Sequence, residues 1–349
     1  MEFGMFHEFP TQAGRSDNEA FTLAMEQVDA AERWGLHAMW LAELHFNPAR
    51  SVLSFPLGLA AAIAARTERM KIGMAVQVLP IGHPLRLAEE AATVDQLSRG
   101  RLIFGVGRSG LPRTYEAYGI PYSESKERFA EALEIIKLAW TESRVTYQGK
   151  FHRIDNVAVS PKPYQKPVPE IRVAATSPDT FVTNGTAGYP IFVAVRSGTF
   201  QELGPEIEDY RAAWQAAGHP GKGQIFLRVP LYVAATDARA RAESEASILH
   251  FYKRHAQLLK DAAAKTGEAA AVKRASHAEY LLTLDYEKGL GQNLIAGSPD
   301  SVIEQLTALR DELGLDGILA ELNCGGNIEH QGVMTALQLL CQEVMPKFH

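Results

Sequence analysis

The chain has 349 residues, of which 46% are hydrophobic, and its formal net charge at pH 7 is −6. A chain of this length folds as two ordinary domains or as one large barrel, and the acidic balance argues against nucleic acid as a partner. No apolar run approaches the roughly 18 residues that a membrane span requires, so no membrane association is expected.

Two features of the sequence bear on the cellular compartment. The first residues, MEFGMFHEF, lack a basic start and a long apolar stretch, so we expect no signal peptide. The two cysteines, Cys324 and Cys341, lie outside any CxxC metal spacing. Such a pair suits a reducing environment, and we expect both to be buried thiols. The sequence therefore predicts a cytoplasmic protein.

Apolar runs bounded by turn residues predict eight strands along the chain. They lie at residues 2–6, 37–42, 71–79, 102–106, 171–175, 191–195, 226–235 and 317–322. Amphipathic stretches at helical spacing lie between them, near residues 18–35, 54–66, 84–98, 123–142, 178–187, 200–217, 237–265 and 298–314, and a final helix is expected at about 330–345.

Eight strands that each precede a helix are typical of an α/β protein with a (β/α)8 barrel, or TIM barrel. An open doubly wound sheet is the alternative, but the regular repeat without a break favours closure and one domain over residues 1–349. Two segments depart from the repeat. Residues 143–169, before strand five, are rich in proline and predict a hairpin with an extended loop. Residues 265–297, before strand eight, predict an extra helix and a mobile loop.

The active site of such a barrel lies at the carboxyl ends of its strands, so residues there are the first candidates for chemistry. The second strand ends in Glu43-Leu44-His45-Phe46. His45 is placed where a general acid or base, or a hydrogen-bond donor to a ligand, would be expected. A structural histidine is the alternative. Glu43 is near enough in sequence to pair with His45 or with an arginine.

The fourth and fifth strands end in residues suited to an anion. Residues 105–110 read Gly-Val-Gly-Arg-Ser-Gly, in which Arg108 can pair with a phosphate. They match the spacing of a dinucleotide fingerprint but continue into Leu-Pro-Arg-Thr rather than directly into a helix. Residues 176–180 read Thr-Ser-Pro-Asp-Thr and predict a helix N-terminus, a ready anion site. The alternative interpretation is that Ser177 only caps its helix and Arg108 only pairs with a carboxylate.

Seven segments, taken together and in order, resemble the bacterial luciferase-like flavin-dependent monooxygenases. They are WLAELHF at 40–46, VLPIGHP at 78–84, DQLSRGR at 95–101, FGVGRSG at 104–110, PKPYQKP at 161–167, ATSP at 175–178 and GSPD at 297–300. Each segment alone is weak, whereas the ordered set spans nearly the whole chain. The resemblance implies a (β/α)8 barrel, a homodimer, and reduced FMN supplied by a separate flavin reductase.

The resemblance also implies roles for particular residues. Arg108 corresponds to the family's phosphate-binding arginine, and Thr176, Ser177 and Thr180 correspond to the rest of the phosphate site. His45 falls in the family's acidic-histidine motif and is the candidate catalytic residue.

The resemblance further places Ala75 and Val76 where the family has a non-prolyl cis peptide packed against the isoalloxazine ring. Two positions depart from the light-emitting luciferases. Leu44 stands where they carry the first of two histidines, and Gly107 stands where they carry a reactive cysteine. Both departures argue against light emission.

The implied function is a two-component monooxygenase, in which a C4a-peroxyflavin transfers oxygen to a small organic substrate such as an aldehyde, a ketone or a sulfur compound. Two alternatives remain open. One is hydride transfer with a deazaflavin coenzyme, and the other is a non-catalytic flavin-binding subunit. Neither a zinc-site spacing of histidines nor a GxSxG nucleophile motif occurs, so no metal site and no serine hydrolase are expected.

Overall fold

The computed structural model describes residues 1–12, 14–195, 198–263 and 268–348. The strands are β1 (Glu2–His7), β2 (Ala38–Leu41), β3 (Lys71–Met74), β4 (Gln77–Val78), β5 (Leu102–Gly107), β6 (Val145–Gln148), β7 (Arg153–Val157), β8 (Glu170–Ala174), β9 (Ile191–Ala194), β10 (Ile225–Val233), β11 (Ile295–Gly297) and β12 (Gly317–Glu321).

The helices alternate with the barrel strands. They are α1 (Asp17–Trp34), α2 (Pro56–Ala64), α3 (Pro84–Leu97), α4 (Pro112–Ala117), α5 (Ser125–Thr141), α6 (Pro178–Ala187), α7 (Gly204–Ala216), α8 (Asp237–Ala263), α9 (Glu268–Thr283), α10 (Tyr286–Gly289), α11 (Pro299–Leu313) and α12 (His330–Leu339). None of those in the described ranges is long and apolar enough to cross a membrane.

Eight parallel strands close into a barrel in the order β1, β2, β3, β5, β8, β9, β10 and β12, and β12 pairs with β1. Closure confirms the predicted barrel, and the alternative of an open doubly wound sheet is wrong. All eight predicted strands are present, seven of them with small shifts at their ends, while the third, predicted at 71–79, is divided into β3 and β4. The carboxyl ends of parallel strands meet at one rim, so closure brings the candidate residues to a common mouth.

The inside of the barrel is filled by an apolar cluster that includes Phe6, Trp40, Phe192 and Phe226. The Trp40 ring fits inside the barrel because the adjacent strands β1 and β3 carry Gly4 and Gly73, which have no side chain, next to it. A Cβ at Gly73 would lie 2.0 Å from Cζ3 of the Trp40 ring, so no larger residue fits there. A second and larger cluster joins the outer faces of the strands to the helices. The strands are largely apolar because both of their faces are buried.

A buried arginine lies at the amino-terminal end of the barrel. The Arg172 side chain is 2% exposed and donates from Nη1 to Glu2 Oε1 at 2.8 Å and from Nε to Glu170 Oε1 at 2.7 Å. Its guanidinium carbon lies 3.5 Å from the centre of the Phe226 ring and 5.0 Å from that of Trp40. This arrangement links the starts of β1 and β8 beneath the aromatic cluster.

The first insertion contains the predicted hairpin, formed by the antiparallel strands β6 and β7. In the second, the extra helix is confirmed as α9, but the loop prediction is wrong. The chain there forms the short helix α10 and then β11, which pairs with β10. Leu294, Ile295 and Ala296 are buried, and this burial holds a glycine-bounded segment in regular structure. Residues 265–267, at the start of that prediction, lie outside the described residues, as do residues 196–197 after the sixth barrel strand.

Candidate active site

The mouth of the barrel contains the predicted cis peptide. The bond between Ala75 and Val76 is cis, and the chain continues beyond it as β4, which pairs with the end of β5. Gly107, on β5, lies against this step. A Cβ on Gly107 would be 2.6 Å from Cγ2 of Val76, so the Val76 side chain already occupies this space and a larger residue at position 107 would displace it.

Beside this step, a cavity of about 610 Å³ opens at the ends of β5 and β8. Arg108, Thr176 and Thr180 line it together with Val76 and Gly107. The structure thus brings together the arginine of the glycine-rich loop and two of the hydroxyl residues of the following strand end. Pockets of a few hundred Å³ with a small number of convergent polar groups are typical of cofactor and ligand sites.

The polar end of the cavity is built at the N-terminus of α6. Thr180 Oγ1 accepts hydrogen bonds from the backbone N–H groups of Thr176, at 3.0 Å, and Ser177, at 3.1 Å. Arg108 donates weakly from Nη1 to Ser125 Oγ at 3.5 Å, so its guanidinium keeps most of its donors for another partner. A helix N-terminus beside an arginine forms an anion cradle.

Ser177 is placed differently from the other cradle candidates. Its hydroxyl donates to Asp179 Oδ1 at 2.6 Å, and the side chain is not among the residues that line the cavity. Lys126 Nζ donates to Asp179 Oδ2 at 2.8 Å, and this bond, followed by that from Ser177, lowers the pKa of Asp179. In this conformation both donors of Ser177 are engaged, the hydroxyl by Asp179 and the backbone N–H by Thr180 Oγ1.

His45 lies at the end of β2 in a hydrogen-bonded group. Its Nε2 lies 2.7 Å from Glu43 Oε1, which confirms the pairing of these residues, and its Nδ1 lies 3.2 Å from the Tyr118 hydroxyl. The other Glu43 oxygen accepts from Gln77 Nε2 at 2.6 Å and from the Val78 N–H at 2.7 Å. Burial raises the pKa of Glu43, although the bonds from His45 and Val78 oppose that rise.

Sequence reasoning missed Tyr118 and Gln77 as members of this group. Tyr118 follows α4, in a segment where no chemistry could be predicted from the sequence. Gln77 reaches Glu43 because β4 follows the cis peptide and lies beside β5. The one signal in the sequence is that Gln77 is a polar residue within a predicted strand that is otherwise largely apolar.

A second group of charges lies at the ends of β1, β10 and β12, and sequence reasoning did not find it. Arg50 donates from Nε to Glu8 Oε2 at 2.7 Å. Arg228 donates from Nη2 to Glu321 Oε2 at 2.7 Å and to Glu8 Oε1 at 3.3 Å. Burial alone would raise the pKa of Glu8, but Arg50 and Arg228 outweigh it and lower that pKa to about 2. The one signal in the sequence is an arginine within the apolar run of β10.

We expect Glu8→Gln to lower the free energy of unfolding by about 3 kcal/mol at pH 7, because two buried arginines lose their shared partner. The pKa of Glu8 is lower in the folded chain than its ordinary value of 4.5. Its contribution to the free energy of unfolding is therefore fully present above pH 4.5 and is lost as the pH falls toward 2. Urea denaturation at several pH values measures this. The difference from the wild type should shrink below pH 4.5, and a constant difference would contradict the assignment. Glu329→Gln, whose side chain is 81% exposed, is the control.

The residues present fit a flat cofactor that carries a phosphate. Val76 and Gly107 line the cavity at the cis step, and Arg108 with the start of α6 supplies donors to an anion. In the described part of the chain, no three His, Cys, Asp or Glu side chains converge as metal ligands. Both cysteines are free and buried, as the sequence predicts.

Comparison with known proteins identifies this arrangement. The model of the luciferase-like monooxygenase family matches residues 1–317. The chain is 25% identical over 357 residues to the oxygenase component of a flavin-dependent trigonelline monooxygenase from Acinetobacter baylyi, covering 100% of this chain and 96% of that protein.

Two further comparisons bear on the cofactor. The oxygenating constituent of 3,6-diketocamphane monooxygenase from Pseudomonas putida, solved in complex with FMN, superposes with a TM-score of 0.83 at 22% identity and covers 99% of this chain and 98% of that one. An F420-dependent glucose-6-phosphate dehydrogenase from Kineococcus radiotolerans is 36% identical over 221 residues, 61% of this chain and 64% of that protein.

Proposed function

The chain belongs to the luciferase-like monooxygenase family, and from that premise we propose that it is the oxygenase component of a two-component monooxygenase that uses reduced FMN. The observation that carries this proposal is the cavity that joins Arg108, Thr176 and Thr180 to the cis step at Val76. A separate reductase would supply the reduced flavin, and the substrate would be a small organic molecule. Relatives with oxygenase-component and FMN-complex names support this assignment.

We assign binding of the flavin to residues in and beside the cavity. Arg108 would hold the FMN phosphate with donors from its guanidinium, and Thr176, Ser177 and Thr180 would add hydroxyl donors. The backbone N–H groups of Thr176 and Ser177 would also reach the phosphate by exchanging their present bonds to Thr180 Oγ1. Ala75 and Val76 would support the ring system, with Gly107 packed closely against the Val76 side chain. When bound, reduced flavin supplies the electrons that activate oxygen at its C4a carbon.

His45 is the residue proposed to act at the reacting end. Glu43 fixes the orientation of its ring through Nε2, and the bond of Nδ1 to Tyr118 is longer, at 3.2 Å. Tyr118 is 45% exposed, so a ligand that enters the mouth can displace its hydroxyl and take over Nδ1. His45 would then hold a hydrogen bond to the flavin or to activated oxygen, while the apolar barrel interior keeps water away.

A deazaflavin-dependent hydride transfer is the second candidate, favoured by the match to the F420-dependent dehydrogenase. Both functions need the barrel and a phosphate cradle, so the fold does not separate them. The assembly is proposed to be a homodimer, on the resemblance to the family alone.

An anaerobic titration separates the candidates. Binding of reduced FMN, reduced riboflavin and reduced F420 is followed by the change in flavin absorbance or fluorescence. The monooxygenase proposal predicts that FMN binds much more tightly than riboflavin, because only FMN engages the cradle. Tight binding of F420 with little affinity for FMN would overturn it in favour of hydride transfer.

A further inference from the structure

The cavity does not end at the phosphate cradle. Beyond Arg108 and Thr180 it continues into a crevice between α5 and α6, which we call the α5–α6 crevice. The crevice is lined by Phe129, Leu133, Lys137, Leu138, Asn184 and Tyr189. These residues lie on the outside of the barrel wall, away from His45. A flavin whose ring occupies the mouth and whose phosphate ends at the cradle leaves this crevice unused.

The walls of the crevice suit a flat apolar group. Leu133 is 7% exposed, and Val173 on the outer face of β8 is 3% exposed. Phe129 and Tyr189 contribute aromatic surface. Lys137 Nζ donates to the Tyr189 hydroxyl at 3.0 Å and lies 5.6 Å from the centre of that ring, so its charge stays at the rim.

One polar group in the crevice lacks a partner. Asn184, in the second turn of α6, is 7% exposed and lines the cavity. Its amide nitrogen is buried and has no hydrogen-bond partner among the described residues. A buried amide left unsatisfied is costly, so such a group marks a place where a ligand completes the bonding. A side-chain amide offers one donor and one acceptor side by side, which matches the N7 and N6 edge of adenine.

The charges along the cavity fit the same ligand. Lys126 follows Ser125, the hydroxyl partner of Arg108, and both cations line the cavity where the cradle meets the crevice. Lys126 Nζ bonds Asp179 Oδ2 at 2.8 Å and has two further donors for a ligand. A single phosphate needs only one of them, whereas a pyrophosphate linkage can use both.

We propose that the α5–α6 crevice binds the adenosine of FAD, so that the oxygenase proposed above accepts reduced FAD as well as reduced FMN and binds FAD more tightly. The inference rests on the proposed function, because it places the flavin phosphate in the same cradle. The largely apolar walls and the acidic Glu134 at the rim favour adenosine over the anionic tail of a deazaflavin coenzyme.

The test is the affinity for two ligands that differ only in the adenylyl group. Anaerobic titration of the full chain should give a dissociation constant for reduced FAD about 10-fold below that for reduced FMN. Asn184→Leu removes the amide at similar volume, and Leu133→Trp fills the crevice. Each variant should remove most of the preference for FAD while leaving the affinity for FMN unchanged. Val182→Ala, at a 44% exposed position on the outer face of α6, is the matched control.

The other outcomes are distinct from one another. Equal affinity for FAD and FMN, or a preference that survives both crevice variants, would overturn the adenosine assignment and leave the proposed function standing. F420 bound more tightly than either flavin would assign the crevice to an anionic tail. If none of the three coenzymes binds, both the crevice assignment and the proposed function are wrong.

Discussion

Replacing Arg172 with alanine is expected to lower the free energy of unfolding by about 3–5 kcal/mol, because it removes a buried guanidinium that bonds two partly buried carboxylates and leaves them only the half-exposed Lys71 as counter-charge. Arg172 holds Glu2 and Glu170 at the base of the barrel and lies over Phe226. Burial would raise the pKa of Glu2, but the bonds and charge of Arg172 outweigh it and lower that pKa. Removing Arg172 thus leaves the cost of burying Glu2 opposed only by Lys71, whose Nζ lies 3.6 Å from Glu2 Oε2.

Urea denaturation followed by circular dichroism measures this change. Arg86→Ala is the control, because the Arg86 side chain is 76% exposed and its i,i+4 pair with Glu90 should be worth only about 0.5 kcal/mol. The double variant Arg172→Met with Glu2→Leu should recover much of the lost stability, since paired apolar replacements of a buried ion pair are often neutral. A loss no larger than that of Arg86→Ala would contradict the role given to Arg172.

Replacing Arg108 with alanine is expected to weaken the binding of reduced FMN by about 10- to 100-fold, the worth of a hydrogen-bonded charge pair. Arg108 lines the cavity and makes only a 3.5 Å bond to Ser125, so its donors are available to a phosphate. The affinity for riboflavin, which has no phosphate, should stay the same.

Comparing the affinities for FMN and riboflavin separates loss of the phosphate contact from loss of structure. A distorted barrel would lose affinity for both flavins. Arg113→Ala serves as the control because Arg113 is an exposed arginine on the neighbouring helix α4. If the Arg108→Ala variant binds FMN as tightly as the wild type, Arg108 does not bind the phosphate, and the main support for FMN as the cofactor is lost.

Much of the fold follows from local patterns. The strands of the barrel are apolar on both faces, and this pattern identifies them without tertiary information. Arg108, Thr176 and Thr180 could be placed in one site because parallel neighbours β5 and β8 carry them at their ends. The cis bond between Ala75 and Val76 was reached only through the family resemblance.

Other features depend on contacts that no local pattern reveals. Glu8 and Arg228 are 220 positions apart, and only closure of the barrel brings them together. Residues 286–297 contain glycines that predict a loop, yet pairing of β11 with β10 and burial of Ile295 give them regular structure. The α5–α6 crevice is likewise a property of how two helices pack, since neither helix alone indicates a gap.

We propose above all that this barrel directs oxygen chemistry on a reduced flavin. The anaerobic complex of the protein with reduced FMN is mixed with oxygenated buffer in a stopped-flow instrument. Oxygen consumption and the absorbance of oxidised FMN are recorded together. The account predicts that oxidised FMN appears well after oxygen is consumed, and that the delay shortens in His45→Ala. Oxidised FMN that appears as fast as oxygen is consumed, as it does for free flavin, would contradict the account.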